Sequence, residues 1–232
     1  FAYQNTAMFK EPESCEVMHF ASANHDAIAA LSDLERALDA GAEAAARVER
    51  VEPVLPAGEL TPKAMGQSIN LLMPEGAIMV DEATTAGLEL FSETVGARHH
   101  DYLYATPGAA IGGGMPIALG AAIACPDRKV VTLQSDGSGM YTNQALWTIA
   151  HENCDITIVI LKNDSYAVLN VELARVRDDE PTPKMLSMLE LSPPSIDWVK
   201  IAEGMGVSAV AVATAEAFHA EFEQAMAQPG PR

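Results

Sequence analysis

Two polar stretches, each directly after an apolar segment, carry the residue types best suited to chemistry. Asp136-Gly137-Ser138-Gly139 follows the apolar residues 128–134, and Asn163-Asp164-Ser165-Tyr166 follows residues 155–161. Taken alone, an aspartate or asparagine at such a place is most simply a turn residue or a helix cap. A carboxylate, an amide oxygen and a nearby backbone carbonyl are, however, hard oxygen ligands suited to Mg²⁺. Together the two stretches favour a site for a metal ion and a phosphate, provided that they meet.

The elements around them predict that they do meet. Strands are predicted at residues 77–82, 128–134 and 155–163, with a possible strand at 208–213, and helices at 141–153, 195–207 and 215–227. This alternation predicts an α/β fold, a parallel sheet with helices on both faces. Asp136 and Asn163 are 27 positions apart, which is one turn, one helix and one strand. If the two strands are neighbours, both side chains project into one crevice at the carboxyl edge of the sheet, where ligands of such folds bind.

A third polar stretch, Asp81-Glu82-Ala83-Thr84-Thr85, follows the strand predicted at 77–82. Its hydroxyl groups and amides could contact a phosphate at the same edge. Further upstream, Thr61-Pro62 indicates a helix start, with Thr61 as the N-cap and Pro62 in the first turn.

Composition excludes several classes of function. The 232 residues contain 14 Lys and Arg against 32 Asp and Glu, a formal charge of −18, so nucleic acids and anionic membranes would be repelled. The cysteines Cys15, Cys125 and Cys154 have no CxxC spacing, which predicts a reducing compartment, the cytosol. No apolar run reaches the length of a membrane span.

We expect two parts in the chain. Residues 1–58 contain an Ala- and Leu-rich helix within 25–40 and a linker rich in Ala, charge and Pro, and residues 59–232 form the main domain. Both ends of the chain look cut, so we expect the C-terminus of the main domain to be truncated.

Several separated motifs then agree with one family in order and spacing. "SDGSG", the 27-residue interval and "KND" resemble the thiamine diphosphate motif, and "GAAIGGGMPIALGAAIACPDRKVV" extends the likeness over roughly residues 60–232. The chain resembles the diphosphate-binding C-terminal domain of the acetolactate synthase and benzoylformate decarboxylase group of thiamine diphosphate-dependent 2-oxo acid enzymes. The first 40 residues look like the tail of that group's central domain.

The resemblance implies roles for the polar stretches. Asp136 and Asn163 would be side-chain ligands of Mg²⁺, and Ser165 would give its backbone carbonyl. The metal would bridge the diphosphate of the cofactor. Further contacts with that diphosphate would come from Gly137, Ser138, Thr84 and Thr85, with Tyr166 and Ala167 closing over the same end.

The glycine-rich stretch would act on the rings of the cofactor. Ile111 matches the bulky apolar residue that forces the two rings into a V, so that the 4′-imino group can reach the thiazolium C2. Ala109 would offer its carbonyl to the 4′-amino group. From the residues alone, Gly112-Gly113-Gly114 could equally be a flexible loop leading into a buried helix.

The implied activity is decarboxylation of a small-molecule 2-oxo acid, with aldehyde release or carboligation. The family's activating glutamate is not in this chain. It comes from a pyrimidine-binding domain, usually on a partner subunit, so we expect a homo-oligomer. A non-catalytic Mg²⁺–nucleotide or phosphate-binding regulatory module is the alternative, and a pure oligomerisation domain would leave Asp136 and Asn163 unexplained.

The chain also departs from the family pattern. Ser135 stands where the motif has its first glycine, and Lys162 stands where it has its first asparagine. Lys162 could weaken the metal site or pair with the diphosphate. The Arg-Gln-Trp run of acetolactate synthases is absent from "AVLNVELARV", so acceptor specificity is left open.

The remaining candidates have simpler explanations. We expect His99-His100 to be a solvated surface pair, Trp147 and Trp198 to lie in the core, and Cys125 and Cys154 to be buried and unreactive. The Met-rich residues 184–191 suit either a mobile lid or ordinary helix packing.

Overall fold

The computed structural model describes residues 21–22, 24–39, 52–104, 110–176 and 179–232. The chain divides into two compact units, Phe1–Arg47 and Val48–Arg232. The predicted boundary after residue 58 stays a prediction. The roles predicted for Ala109 and Cys15 fall outside the described residues.

The first unit contains one described helix, α1 (Ala27–Ala37). The Asp26 side chain caps its start by accepting the N–H groups of Ile28 and Ala29 at 2.9 and 3.1 Å. The helix predicted within residues 25–40 is therefore confirmed, with shorter bounds.

The second unit is built on a four-stranded parallel sheet. Its strands are β1 (Ile78–Glu82), β2 (Asp101–Tyr104), β3 (Val130–Ser135) and β4 (Ile156–Leu161), in the order β2-β1-β3-β4. The predicted fold class is confirmed, and so are three of the strands. Strand β2 was missed because its residues, Asp-Tyr-Leu-Tyr, are partly or largely exposed at a sheet edge and form no apolar run.

Helices cover both faces of the sheet. They are α2 (Pro62–Leu72), α3 (Gly87–Thr94), α4 (Gly114–Ala124), α5 (Asp136–Gly139), α6 (Ala145–His151), α7 (Ala167–Val176), α8 (Pro183–Ser187), α9 (Trp198–Gly204) and α10 (Ala215–Ala227), with a 3₁₀ turn at Thr84–Ala86. One apolar core lies between the sheet and α4, α6 and α9. A second core lies on the other face, against α2, α3 and α10. As predicted, the Thr61 hydroxyl caps α2, accepting the N–H of Ala64 at 3.1 Å.

The strand predicted at residues 208–213 does not form. Arg232 forms backbone hydrogen bonds with β4. The N–H of Arg232 donates to the Ile156 carbonyl at 3.0 Å, and the N–H of Ile158 donates to the Arg232 carbonyl at 2.8 Å. These two hydrogen bonds pair Arg232 with the outer edge of β4.

Side-chain burial corrects two predictions. Trp147 is 57 % exposed, with its ring stacked on His151, so its assignment to the core was wrong, whereas Trp198 is buried as expected. Cys154 is buried, which raises the pKa of its thiol, but Cys125 is only partly buried. No helix within the described ranges is both long and apolar enough to cross a membrane.

Candidate functional site

The pairing of β3 with β4 brings the two predicted metal-binding stretches together at the carboxyl edge of the sheet. Asp136, the first residue after β3, is only 1 % exposed. Its Oδ2 atom accepts the backbone N–H groups of Asn163 and Asp164 at 3.0 and 2.8 Å. Its Oδ1 atom accepts the N–H of Gly137 at 2.9 Å. The carboxylate thus joins the ends of two adjacent strands directly.

This arrangement fits a hard cation by the chemistry of its donors. A carboxylate offers about four lone-pair positions, and backbone amides occupy three at Asp136. The Asn163 Oδ1 atom accepts one N–H, from Ser165 at 3.0 Å, and keeps a second lone pair. Two side-chain oxygens on neighbouring strand ends thus keep free lone pairs, and Mg²⁺ prefers such oxygen ligands. The ligand roles of Asp136, Asn163 and Ser165 stay predictions.

The loop after β4 is held by the Met-rich segment. The N–H of Tyr166 donates to the Leu189 carbonyl, and the N–H of Leu191 donates to the Asp164 carbonyl, each at 2.8 Å. Ser165 completes the contact, because its hydroxyl donates to the Leu189 carbonyl at 3.3 Å. Within residues 184–191, the chain after α8 thus pairs with the candidate metal-binding loop.

Lys162 is paired with protein side chains near the end of β4. Its ammonium group donates to the Asp164 carboxylate and to the Ser195 hydroxyl, both at 2.6 Å. The hydrogen bond from Lys162, followed by that from Ser195, holds the pKa of Asp164 below its usual range. The lysine that replaces the family's asparagine is therefore paired with Asp164 in its own loop and with Ser195 just before α9.

The turn at α5 is closely packed. A Cβ atom at Gly137 would lie 2.7 Å from the Tyr166 ring, and one at Gly139 would lie 2.9 Å from the Trp198 ring. The Tyr166 ring therefore covers Gly137, and burial raises the pKa of its phenol. Its role toward the cofactor stays a prediction. Ala167, the next residue, begins α7.

The predicted diphosphate contacts after β1 lie beside this turn. Thr84 has a φ of 49°, a strained value for a β-branched residue, and its hydroxyl lies 2.7 Å from that of Ser135. The Ser135 hydroxyl also donates to the Glu82 carbonyl at 3.1 Å. The serine that replaces the motif's glycine therefore connects the ends of β1 and β3. Thr85 is exposed to solvent.

Ile111 lies just before α4 and is 46 % exposed. Two of the three glycines after it are required by their surroundings, in a turn that leads into α4. Gly112 has a φ of 91°, and a Cβ there would lie 2.9 Å from the Tyr141 Cβ. A Cβ at Gly114 would lie 2.3 Å from the Gln134 Oε1 atom.

Sequence reasoning missed Glu82 and Gln134, which are fully buried at the ends of β1 and β3. Glu82 accepts the N–H groups of Gly112 and Gly114 at 2.5 and 2.7 Å, and the Gln134 amide at 2.9 Å. The available signal was a glutamate and a glutamine ending otherwise apolar strands, since such residues are seldom buried unless they are paired.

Comparison with known proteins agrees with this geometry. Residues 92–232 match the family described as "Thiamine pyrophosphate enzyme, C-terminal TPP binding domain". One relative is a Mycobacterium tuberculosis protein provisionally described as the acetolactate synthase large subunit IlvX. The alignment covers the whole of this chain and 44 % of that protein, with 46 % sequence identity. Another relative is a benzoylformate decarboxylase from Pseudomonas aeruginosa. The alignment covers 75 % of this chain and 31 % of that enzyme, with 32 % sequence identity.

A solved structure gives the same result. The thiamine diphosphate-dependent 4-hydroxybenzoylformate decarboxylase of Rhodococcus jostii superposes on 88 % of this chain, with a TM-score of 0.67 and 30 % sequence identity. The match covers 37 % of that decarboxylase. The chain thus spans less than half the length of these relatives.

Proposed function

The chain belongs to the thiamine pyrophosphate enzyme family, whose C-terminal TPP-binding domain it matches, and from this premise we propose its function. It is the diphosphate- and Mg²⁺-binding domain of an enzyme that decarboxylates a 2-oxo acid and either releases an aldehyde or joins the product to a second carbonyl compound.

The position of Asp136 is the observation that carries this proposal. A buried carboxylate at the end of a central parallel strand accepts two backbone N–H groups from the next strand end, and that strand end also carries the Asn163 side-chain oxygen, which accepts one N–H. A purely structural turn would not need a second oxygen donor beside it. Asp136 and Asn163 would hold Mg²⁺ with the Ser165 carbonyl, and the cation would offset the charge of a diphosphate in a crevice of low dielectric constant.

Other residues of the site have binding and orienting roles. Gly137 and Ser138 would bind the diphosphate with amides and a hydroxyl, and Thr84 and Thr85 would bind its oxygens. Tyr166 and Ala167 would exclude water from this end, and Ile111 would support the rings of the cofactor. Thiamine diphosphate, when bound, supplies the electron sink for decarboxylation, and the protein supplies geometry and charge compensation.

The substrate class follows from the relatives. Two of the named relatives are decarboxylases of benzoylformate or its 4-hydroxy derivative, and one is described as an acetolactate synthase subunit. A 2-oxo acid is the substrate class that these names share, and we propose it for this chain.

The partner is a pyrimidine-binding domain, on the same chain or on a partner chain of a homo-oligomer. Exposed apolar side chains near the site support this part of the proposal, because such patches usually meet a partner. They include Ile111, Met140, Tyr141 and Trp147. We also propose the cytosol as the compartment, since its reducing conditions suit the free thiols of Cys125 and Cys154.

A thermal-shift comparison tests the cofactor against the regulatory-module alternative. With Mg²⁺ present, thiamine diphosphate at about 100 times its Kd should stabilise the chain by about 2.7 kcal/mol. ADP at the same concentration should leave the melting temperature unchanged. A larger shift with ADP, or none with thiamine diphosphate, would contradict the proposal.

A further inference from the structure

Glu82 is a buried carboxylate that the proposed cofactor contacts do not use. It is 0 % exposed, and all three of its hydrogen-bond donors among the described residues are neutral amides. Burying such a charge is costly unless the bonds to it are well formed. A position this costly points to a role beyond filling space.

The first consequence of its position concerns Gly112, the residue after Ile111. The N–H of Gly112 donates to Glu82 Oε1 at 2.5 Å, and the carbonyl of Gly112 accepts the Thr142 hydroxyl at 2.7 Å. Both polar groups of one residue are thus bound by side chains from two different segments. This fixes the direction in which the chain leaves Ile111, although the Ile111 side chain itself is half exposed.

The second consequence concerns Ser138 in the α5 turn. The Gln134 side-chain amide donates both to Glu82 Oε2 at 2.9 Å and to the Ser138 hydroxyl oxygen at 2.6 Å. The carbonyl oxygen of the same side chain accepts the N–H of Met115 at 3.2 Å. Gln134 therefore connects the start of α4 with the turn predicted to meet the diphosphate.

From these contacts we infer that Glu82, with Gln134 and Thr142, forms a buried positioning network. It sets the segment that carries Ile111 against the turn that carries Ser138. The inference rests on the proposed function, because it gives these two residues their roles toward opposite halves of the cofactor. Glu82 is a positioning residue and does not touch the cofactor.

An ordinary helix cap would explain only part of the network. A cap needs an acceptor for the free N–H groups at the start of α4, and Glu82 supplies one for Gly114. It does not account for the bond to Gly112, which lies outside the helix, or for the Thr142 hydroxyl on the other side of that residue. Two independent hydrogen bonds, one to the N–H and one to the carbonyl of Gly112, indicate that the network fixes the orientation of this residue.

The test uses two matched comparisons in the full 232-residue chain. Thr142→Val removes the hydroxyl with little change in shape, and Thr142→Ser keeps it. Glu82→Gln removes the charge of the central acceptor, and Glu75→Gln makes the same change at an exposed residue before β1. Thr142 is only partly buried, so we expect its variants to fold. They can therefore test the inference even if Glu82→Gln fails to fold.

The first measurement is amide hydrogen exchange by NMR without cofactor. In Glu82→Gln one carboxylate oxygen becomes an NH₂ group, so one of the Gly112 and Gly114 amides loses its acceptor and should exchange about 10-fold to 100-fold faster. The other amide keeps a neutral hydrogen bond, about 1 kcal/mol weaker, and should exchange about 5-fold faster. The Glu75→Gln control should exchange at the wild-type rate. Unchanged exchange at Gly112 in Glu82→Gln would overturn the inference.

The second measurement is circular dichroism of thiamine diphosphate bound with Mg²⁺. A cofactor without a stereocentre gains such a signal only when the protein holds it in one twisted conformation. Thr142→Val and Glu82→Gln should lose the signal at saturating cofactor, and Thr142→Ser and Glu75→Gln should keep it. Retention in the first two variants would overturn the inference and leave the proposed function intact. No binding by the wild-type chain would instead refute the proposed function, and the inference with it.

Discussion

Replacing Asp136 by Asn should affect stability and cofactor binding by separable amounts. The carboxylate accepts three backbone N–H groups, from Gly137, Asn163 and Asp164, at 2.8 to 3.0 Å. Asn keeps one oxygen, which can still face the Asn163 and Asp164 amides, but its NH₂ group then faces the Gly137 N–H. One buried donor loses its partner, and two charge-assisted bonds become neutral ones.

The expected loss of stability can be worked out from these bonds. An unsatisfied buried donor costs about 1–3 kcal/mol, and each bond that becomes neutral loses about 1 kcal/mol. The sum is about 4 kcal/mol, which lowers the melting temperature of a domain of this size by about 10 °C. Asp136→Ala would leave all three donors unpaired and is therefore less suitable, because unfolding would obscure the binding result.

The assay is urea denaturation of the cofactor-free chain, followed by calorimetry with Mg²⁺ and thiamine diphosphate. Asp155→Asn is the control, because Asp155 also accepts a backbone N–H, that of Gly230 at 3.1 Å. Asp155 lies just before β4, at the edge of the sheet opposite to the site. Both variants should lose stability, and only Asp136→Asn should lose Mg²⁺-dependent binding. Full stability in Asp136→Asn would refute the hydrogen-bond reasoning, and binding equal to that of the control would refute the metal assignment.

Three further predictions concern other parts of the site and the sheet. In a complete enzyme, Ile111→Ala should slow proton exchange at the thiazolium C2, measured by NMR, more than it weakens binding; a wild-type rate would place the wedge elsewhere. The 232-residue chain alone should self-associate in light scattering and show no turnover of pyruvate or benzoylformate. On the proposed function, the activating glutamate, worth about 10²–10⁴ in rate, would belong to the pyrimidine-binding partner domain. Burial and the hydrogen bond to Asp81 raise the pKa of Tyr102 above its ordinary 10.0. The stability that the neutral phenol contributes is therefore complete below the unfolded-state pKa and is lost as the pH rises from there through the folded-state pKa. Urea denaturation between roughly pH 9 and pH 11 should therefore show a shallower decline for Tyr102→Phe than for the wild type, and equal slopes would contradict the sign.

The strands that carry the site could be predicted because they are rich in apolar residues: β1 and β3 are buried almost throughout, and β4 is buried at its start and partly buried after it. Their apolar runs at β1, β3 and β4 stand out from the rest of the chain, and the turn residues that follow mark the carboxyl edge. Strand β2 and the unpaired residues 208–213 could not be predicted equally well. Strand β2 is largely exposed and has no apolar run, whereas residues 208–213 have an apolar pattern but form no strand in the fold.

The sequence by itself determined the residue types at the site and their spacing. Asp136 and Asn163 fall at strand ends because local patterning fixes where each strand stops. The family motif depends on the same local order, so it could be recognised without a structure.

The tertiary structure alone decided how those residues are connected. Nothing local in the sequence indicates that Glu82 binds Gly112, that Gln134 reaches Ser138, or that Lys162 pairs with Ser195. The Glu82 and Lys162 contacts join residues about thirty positions apart in the chain. The physical reason is that a buried or paired charge is stabilised by whatever donors the packed fold brings to it, and the packing of separate strands and helices sets that neighbourhood.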